Sequence, residues 1–161
     1  MSEFDSYDTF VFDCDGVILN SNKQKSKAFY KSTLKYGKEN AKRFKDYHIK
    51  NGGISRNLKF KFFFEKILKK KDYLKDLNEV MDAYSNIVKL DLQKSEITSK
   101  LSQLKNKYRK QNWLVVSGSN QDELQNIFKK REIYRLFDSG IYGSPKDKIT
   151  IFNELKSSSI L

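Results

Sequence analysis

Cysteine is almost absent from this chain: Cys14 is the only one in 161 residues. No intramolecular disulfide can form, so a reducing compartment is the expectation. One proline, Pro145, and seven glycines leave little room for disordered linkers, and neither a low-complexity tract nor an internal repeat is visible. The chain reads as folded throughout. No apolar run approaches the roughly 20 residues that cross a bilayer. The opening residues Met1-Ser2-Glu3-Phe4-Asp5 lack the basic stretch and apolar run of a signal peptide. These absences predict a cytoplasmic protein with no membrane segment. The length suits a single domain's worth of chain, burying roughly 70% of its unfolded surface.

Acidic residues are also in short supply. Lys and Arg number 32 against 20 Asp and Glu, a formal charge of +12. Such an excess invites a nucleic-acid reading. The lysines are spread along the whole chain, however, and the densest run is only Lys69, Lys70 and Lys71. No interleaving of basic and aromatic residues marks a nucleic-acid module, so no nucleic acid is expected as a partner. A basic surface equally steers small phosphorylated anions toward a cleft. The hydrophobic fraction is a modest 38%, but 12 Phe and 9 Tyr supply side chains large enough to build a core.

Three short apolar runs end in polar turns. Thr9-Phe10-Val11-Phe12 stops at Asp13-Cys14-Asp15-Gly16, Trp113-Leu114-Val115-Val116 at Ser117-Gly118-Ser119, and Gly140-Ile141-Tyr142 at Gly143-Ser144-Pro145. Continuous apolar runs of this kind suit parallel strands buried on both faces. Ser119 with Asp122, and Ser144 with Asp147 and Pro145 at the first helical position, predict helix starts after the last two strands. Strand, polar turn and helix in succession is the α/β pattern.

The stretch between, from about Asn22 to Tyr108, reads as helical. Phe60, Phe63, Phe64, Ile67 and Leu68 form one amphipathic stripe, and Val80, Met81, Tyr84, Ile87 and Val88 another. Both stripes are read as core. Gly52-Gly53 breaks the run, with Ser55 as the N-cap of the helix carrying Phe60. A last helix with Ile97, Leu101 and Leu104 is expected to lead into the strand at Trp113. Ligands of open parallel sheets bind beyond the carboxyl ends of the strands, which gathers Asp13, Asp15, Ser117 and the lysines at 146 and 148 on one edge. Asp13 and Asp15, two apart in extended backbone, can present both carboxylates to one site.

Val11-Phe12-Asp13-Cys14-Asp15-Gly16-Val17-Ile18, Val115-Val116-Ser117-Gly118-Ser119 and Gly143-Ser144-Pro145-Lys146-Asp147-Lys148 resemble, in order, three of the four motifs of the haloacid dehalogenase-like hydrolase superfamily. The helical stretch is similar to the small α-helical cap that many members insert after the first motif. The resemblance implies a Rossmann-like α/β parallel sheet core at 1–21 and 95–161, truncated at the C-terminus, and a cap at 22–94. It implies a phosphatase of a small phosphorylated metabolite. Asp13 would be the nucleophile forming an aspartyl-phosphate. Asp15 would be the acid and then the base, its presence arguing against dehalogenation. Ser117 and the amide of Gly118 would bind phosphoryl oxygens. Lys148, at the family's Gly-Ser-Pro-x-x-Lys spacing, would neutralise charge, leaving Lys146 on the surface. Mg²⁺ is the expected cofactor, held by Asp13, the backbone carbonyl of Asp15, water and a carboxylate from the fourth motif. Arg56, after Gly52-Gly53-Ile54-Ser55, is a candidate to grip a second anionic group, against the alternative of an exposed helix-start arginine. His48 is read as a packing residue of the cap and Cys14 as a small buried side chain.

The sequence departs from the family at two places. Asn20 stands where many relatives carry Asp, and no acidic strand end of the fourth motif follows Lys148. Slow turnover and weak Mg²⁺ binding are the expectation from the second departure, with Glu154 an unsuitable substitute. A phosphosugar mutase using the same aspartates, or a degenerate member that only binds a ligand or partner, are the alternatives. Oligomeric state is not legible.

Overall fold

The structure is a computed structural model that describes residues 3–161, so the reading of Met1 and Ser2 as free of a signal lies outside the described residues. The chain divides into two compact units, residues Met1–Asn20 with Ser95–Leu161, and residues Ser21–Lys94.

The first unit is built on three parallel strands in the order β1 (Thr9–Phe12), β2 (Asn112–Asn120) and β3 (Ile141–Ser144). A helix follows each of the last two strands, α6 (Gln121–Lys130) and α7 (Lys148–Ser157). Alternation along β2 sends its side chains to opposite faces. Leu114 and Val116 join Ile151 and Leu155 of α7 in one apolar cluster. Trp113 meets Phe12, with ring centroids 4.6 Å apart, and Phe137 at 6.1 Å. Trp113 through Val116 are all buried, as expected of a strand covered on both faces. β1 departs from that expectation. It pairs with β2 alone among the described strands, and as an outer strand it leaves Val11 37% exposed.

Two predicted helix starts move. Asn120, not Ser119, caps α6, its side-chain oxygen accepting from the Glu123 amide at 3.0 Å. Asp147, not Ser144, caps α7, accepting from the Thr150 amide at 2.8 Å. Ser144 still belongs to β3, and Pro145, joined by a cis peptide bond, lies in the loop between them rather than in the helix. The strands outlast their apolar runs, which carries each cap one to three residues downstream. The Thr150 amide holds the Asp147 carboxyl below the usual carboxylate range, because an acceptor at a helix start is favoured in its charged form.

Ile97 is likewise not helical. It forms an antiparallel bridge with Leu19, and α5 spans only Leu101–Lys107. The Asn20 amide donates to the Glu96 carbonyl at 2.9 Å and the Thr98 amide to the Ile18 carbonyl at 2.9 Å. Backbone pairing between two chain crossings thus claims a segment that apolar spacing alone assigned to a helix. Asp138 accepts from the Trp113 amide at 2.8 Å and from Lys105 at 2.7 Å. Burial pushes the Asp138 carboxyl up, but Lys105 and the Trp113 amide outweigh it and hold the group below the ordinary value.

The second unit packs α1 (Asn22–Thr33), α2 (Lys38–Lys50), α3 (Arg56–Phe62) and α4 (Leu74–Lys94) around aromatic rings. Phe29, Phe44, Phe60, Phe63 and Phe64 are fully buried or nearly so, together with Val80, Tyr84 and Val88. These residues of the two stripes are therefore core, while Ile67, Leu68, Met81 and Ile87 of the same stripes are only partly buried. The helix carrying the first stripe is not uniform, because a π-helical turn at Phe63–Ile67 follows α3 directly. Ser55 caps α3 as expected, accepting from the Leu58 amide at 3.5 Å. Among the described residues, no helix is long and apolar enough to cross a membrane.

Candidate active site

The chain turns sharply once β1 has delivered Asp13. Gly16 takes a left-handed φ of 77°, a conformation that costs a residue with a Cβ. The amides of Ile18 and Leu19 donate to the Cys14 carbonyl at 2.9 and 3.0 Å, and the Gly16 amide donates to Leu19 at 2.8 Å. Cys14 and Ile18 have no exposed surface. The buried side chains anchor the loop while the flanking carboxylates stay accessible, with Cys14 serving as the small apolar plug expected of it.

Both donors found on Asp13 meet the same oxygen. The Cys14 amide donates to Oδ1 at 2.8 Å, and Lys148 Nζ lies 3.2 Å from Oδ1. Lys148 owes its place to the cap, since Asp147 starts α7 and Lys148 is its first residue. Lys146 does not reach the site. Its ammonium lies 2.7 Å from both carboxylate oxygens of Glu154, on an exposed surface. The structure therefore brings one of the two candidate lysines to Asp13, and occupies the other with the acid already set aside as a metal ligand.

Asp15 meets the end of β2. Its Oδ2 accepts from the Ser119 hydroxyl at 3.2 Å, and the Ser119 amide donates to the Ser117 hydroxyl oxygen at 3.1 Å. Ser117 is buried, with Gly118 between the two serines. Sequence reasoning used Ser119 only as a helix cap and missed this contact. The signal was available, because Ser117 and Ser119 are two apart at a strand end, the same spacing that paired Asp13 with Asp15. A glycine packs this turn tightly. A Cβ on Gly143 would come within 2.3 Å of the Ser119 carbonyl oxygen, and the Gly143 amide donates to Gln121 at 3.1 Å.

Arg56 belongs to the helical unit, where it opens α3 and its guanidinium lies over the Tyr84 ring at 5.8 Å. His48 packs as expected. Its ring is 4.2 Å from that of Phe29 and its Nδ1 is 2.9 Å from Lys59 Nζ.

The Asp13 carboxylate and the backbone carbonyl of Asp15 offer oxygen donors at one strand end, the ligand type that Mg²⁺ selects. That donor chemistry fits a hard divalent cation. Among the described residues, no group of three or more His, Cys, Asp or Glu side chains gathers into a fuller metal cluster.

The profile of the haloacid dehalogenase-like hydrolases matches residues 7–157 of the chain. No curated protein matches it. Among solved structures, a predicted phosphoglycolate phosphatase from Haemophilus somnus superposes with a TM-score of 0.69 at 17% identity, over 96% of this chain and 72% of that one. A predicted phosphatase from Clostridium acetobutylicum gives 0.67 at 17% identity, over 95% and 71%. A proposed HAD-hydrolase from Bacillus subtilis, bound to magnesium, gives 0.58 at 16% identity, over 86% and 65%. At such identities the likeness is one of fold: an α/β parallel sheet with helices between the strands.

Proposed function

Because the chain belongs to the haloacid dehalogenase-like hydrolases, we propose that it hydrolyses the phosphoric monoester of a small phosphorylated metabolite, with Asp13 as nucleophile and Asp15 as acid and base. The observation that carries this reading is the 3.2 Å contact between Lys148 and Asp13, which joins residues from opposite ends of the sequence at the carboxyl edge of one parallel sheet.

The chemistry follows from the placement of each group. The Cys14 amide and Lys148 both hold Asp13 Oδ1, so the lone pair that attacks phosphorus is on Oδ2. As the Asp13–phosphorus bond forms and the ester P–O bond breaks, Asp15 gives its proton to the leaving oxygen. In the second half, Asp15 takes a proton from water as that water attacks phosphorus, and inorganic phosphate leaves Asp13. The Lys148 ammonium offsets charge on Asp13 and on the phosphoryl group. The Ser117 hydroxyl and the Gly118 amide donate to phosphoryl oxygens. Mg²⁺ is part of the proposal. The Asp13 carboxylate and the Asp15 backbone carbonyl would hold it, and when bound it supplies further neutralisation of the phosphoryl charge.

Phosphate release from a panel of small phosphate esters, with Mg²⁺, tests the reading. The native chain is expected to turn over at least one ester and Asp13→Asn none. Equal release by both proteins would overturn it. Formation of an isomeric phosphate ester without free phosphate would instead mark a mutase built on the same two aspartates.

A further inference from the structure

We infer that Ser119 is a positioning residue for the acid–base step: its hydroxyl holds Asp15 at Oδ2 and so orients the carboxyl that carries and exchanges the proton. The inference rests on the role proposed for Asp15.

The geometry is specific about which atoms are committed. Ser119 Oγ donates to Asp15 Oδ2 at 3.2 Å, across the gap between the loop after β1 and the end of β2. A carboxylate whose side chain turns freely presents either oxygen in several directions. One tethered at Oδ2 is restrained in orientation, and proton transfer depends on that alignment.

Ser119 can act in this way because its own position is fixed from three sides. Its amide donates to the Ser117 hydroxyl oxygen at 3.1 Å. Its carbonyl oxygen lies against Gly143, where a Cβ would intrude to 2.3 Å. The next residue, Asn120, is pinned as the cap of α6 through the Glu123 amide at 3.0 Å. A hydroxyl on so constrained a backbone can direct a neighbour rather than follow it. The same turn gives the two serines different tasks. Ser117 is assigned to the phosphoryl group, while Ser119, two residues on, reaches the group that handles the proton. Ser119 touches neither phosphorus nor the leaving oxygen in this scheme, and acts through Asp15.

The test compares kcat/KM for two esters. An alkyl phosphate has a leaving oxygen that needs a proton, whereas 4-nitrophenyl phosphate has one that departs without help. The ratio kcat/KM reports the step that forms the phospho-aspartate, and so excludes later hydrolysis. Ser119→Ala is expected to lower kcat/KM about tenfold or more on the alkyl ester and no more than about twofold on the aryl ester. Ser119→Thr, which keeps the hydroxyl, is expected to recover most of the loss. A loss of equal size on both esters would show a structural role only, and no loss on either would show no role. Failure of Ser119→Thr to recover activity at native thermal stability would also overturn the inference. Failure of the underlying reading looks different: either the native chain releases no phosphate from the aryl ester, or Asp13→Asn still does. The inference then falls with it.

Discussion

Replacing Gly143 with alanine adds one methyl group where the sheet has no room for it. The new Cβ would sit 2.3 Å from the Ser119 carbonyl oxygen, with the Gln121 amide nitrogen at 3.1 Å and its Cα at 3.2 Å. All three are backbone atoms, so no side chain can swing away. Restoring ordinary contact requires β3 and the end of β2 to part by about 1 Å. Overpacking of this kind costs about 1–3 kcal/mol, a fall in Tm of about 3–10 °C for a chain of this size. The displaced segment carries Ser117 and Ser119, and a shift of about 1 Å at such groups costs roughly a hundredfold in rate. Thermal unfolding by circular dichroism, paired with phosphate release, reads both effects. Gly52→Ala is the control, since a Cβ there meets nothing within 4 Å, and its Tm should stay at the native value. Should Gly143→Ala melt and turn over like the native chain, the close approach of β3 to Ser119, and the placement argued from it, would be wrong.

Three further outcomes are expected. Asp13→Asn should lower phosphate release by at least about a thousandfold with Tm unchanged within a few degrees, because an amide keeps the shape of the carboxylate but not its nucleophilicity; persisting turnover would remove Asp13 from its role. Lys148→Ala should cost about a hundredfold or more and Lys146→Ala less than about threefold, since only Lys148 reaches Asp13 while Lys146 is held by Glu154; equal losses would contradict the assignment. Asp138→Asn should destabilise the fold near neutral pH by less than about 1 kcal/mol, because the Asp138 carboxylate is half-exposed and its pairing with Lys105 is screened by solvent. The folded Asp138 carboxyl is held below its ordinary value, so its contribution is full above the unfolded pKa and disappears as pH falls through the folded one. The Tm difference between native and Asp138→Asn should therefore shrink in acid, and a difference constant from pH 7 to pH 3 would refute the linkage.

The strands, the helical stretch and the edge that gathers the site were legible because each is written in a local pattern. Apolar runs at 9–12, 113–116 and 141–142 ended at polar turns, and Phe60, Phe63 and Phe64 kept a helical spacing through to full burial. What was not legible depended on partners distant in sequence. Ile97 carries the apolar spacing of a helix but spends its backbone on Leu19. Ser119 resembles a cap, yet its hydroxyl reaches Asp15, 104 positions away. Val11 looks like a residue of a doubly covered strand and is exposed because β1 pairs on one side among the described strands. The choice between Lys146 and Lys148 rested on motif spacing alone. The structure adds the physical reason, a cap at Asp147 that starts α7 one residue before the lysine that meets Asp13.

The clasp between Asn20 and Glu96 has a consequence for how the chain reaches its folded state. β1 can pair with β2 only by closing a loop of about a hundred residues, at an entropic cost of roughly 4 kcal/mol if that loop is a flexible coil. The helical unit lies wholly within that loop and is compact in itself. If it folds first, the Asn20–Glu96 bond at 2.9 Å joins the two ends of an object already ordered, and the search for the β1–β2 register becomes a short-range one. An ordered helical unit would then shorten, from within the chain's own sequence, the loop that the sheet has to close.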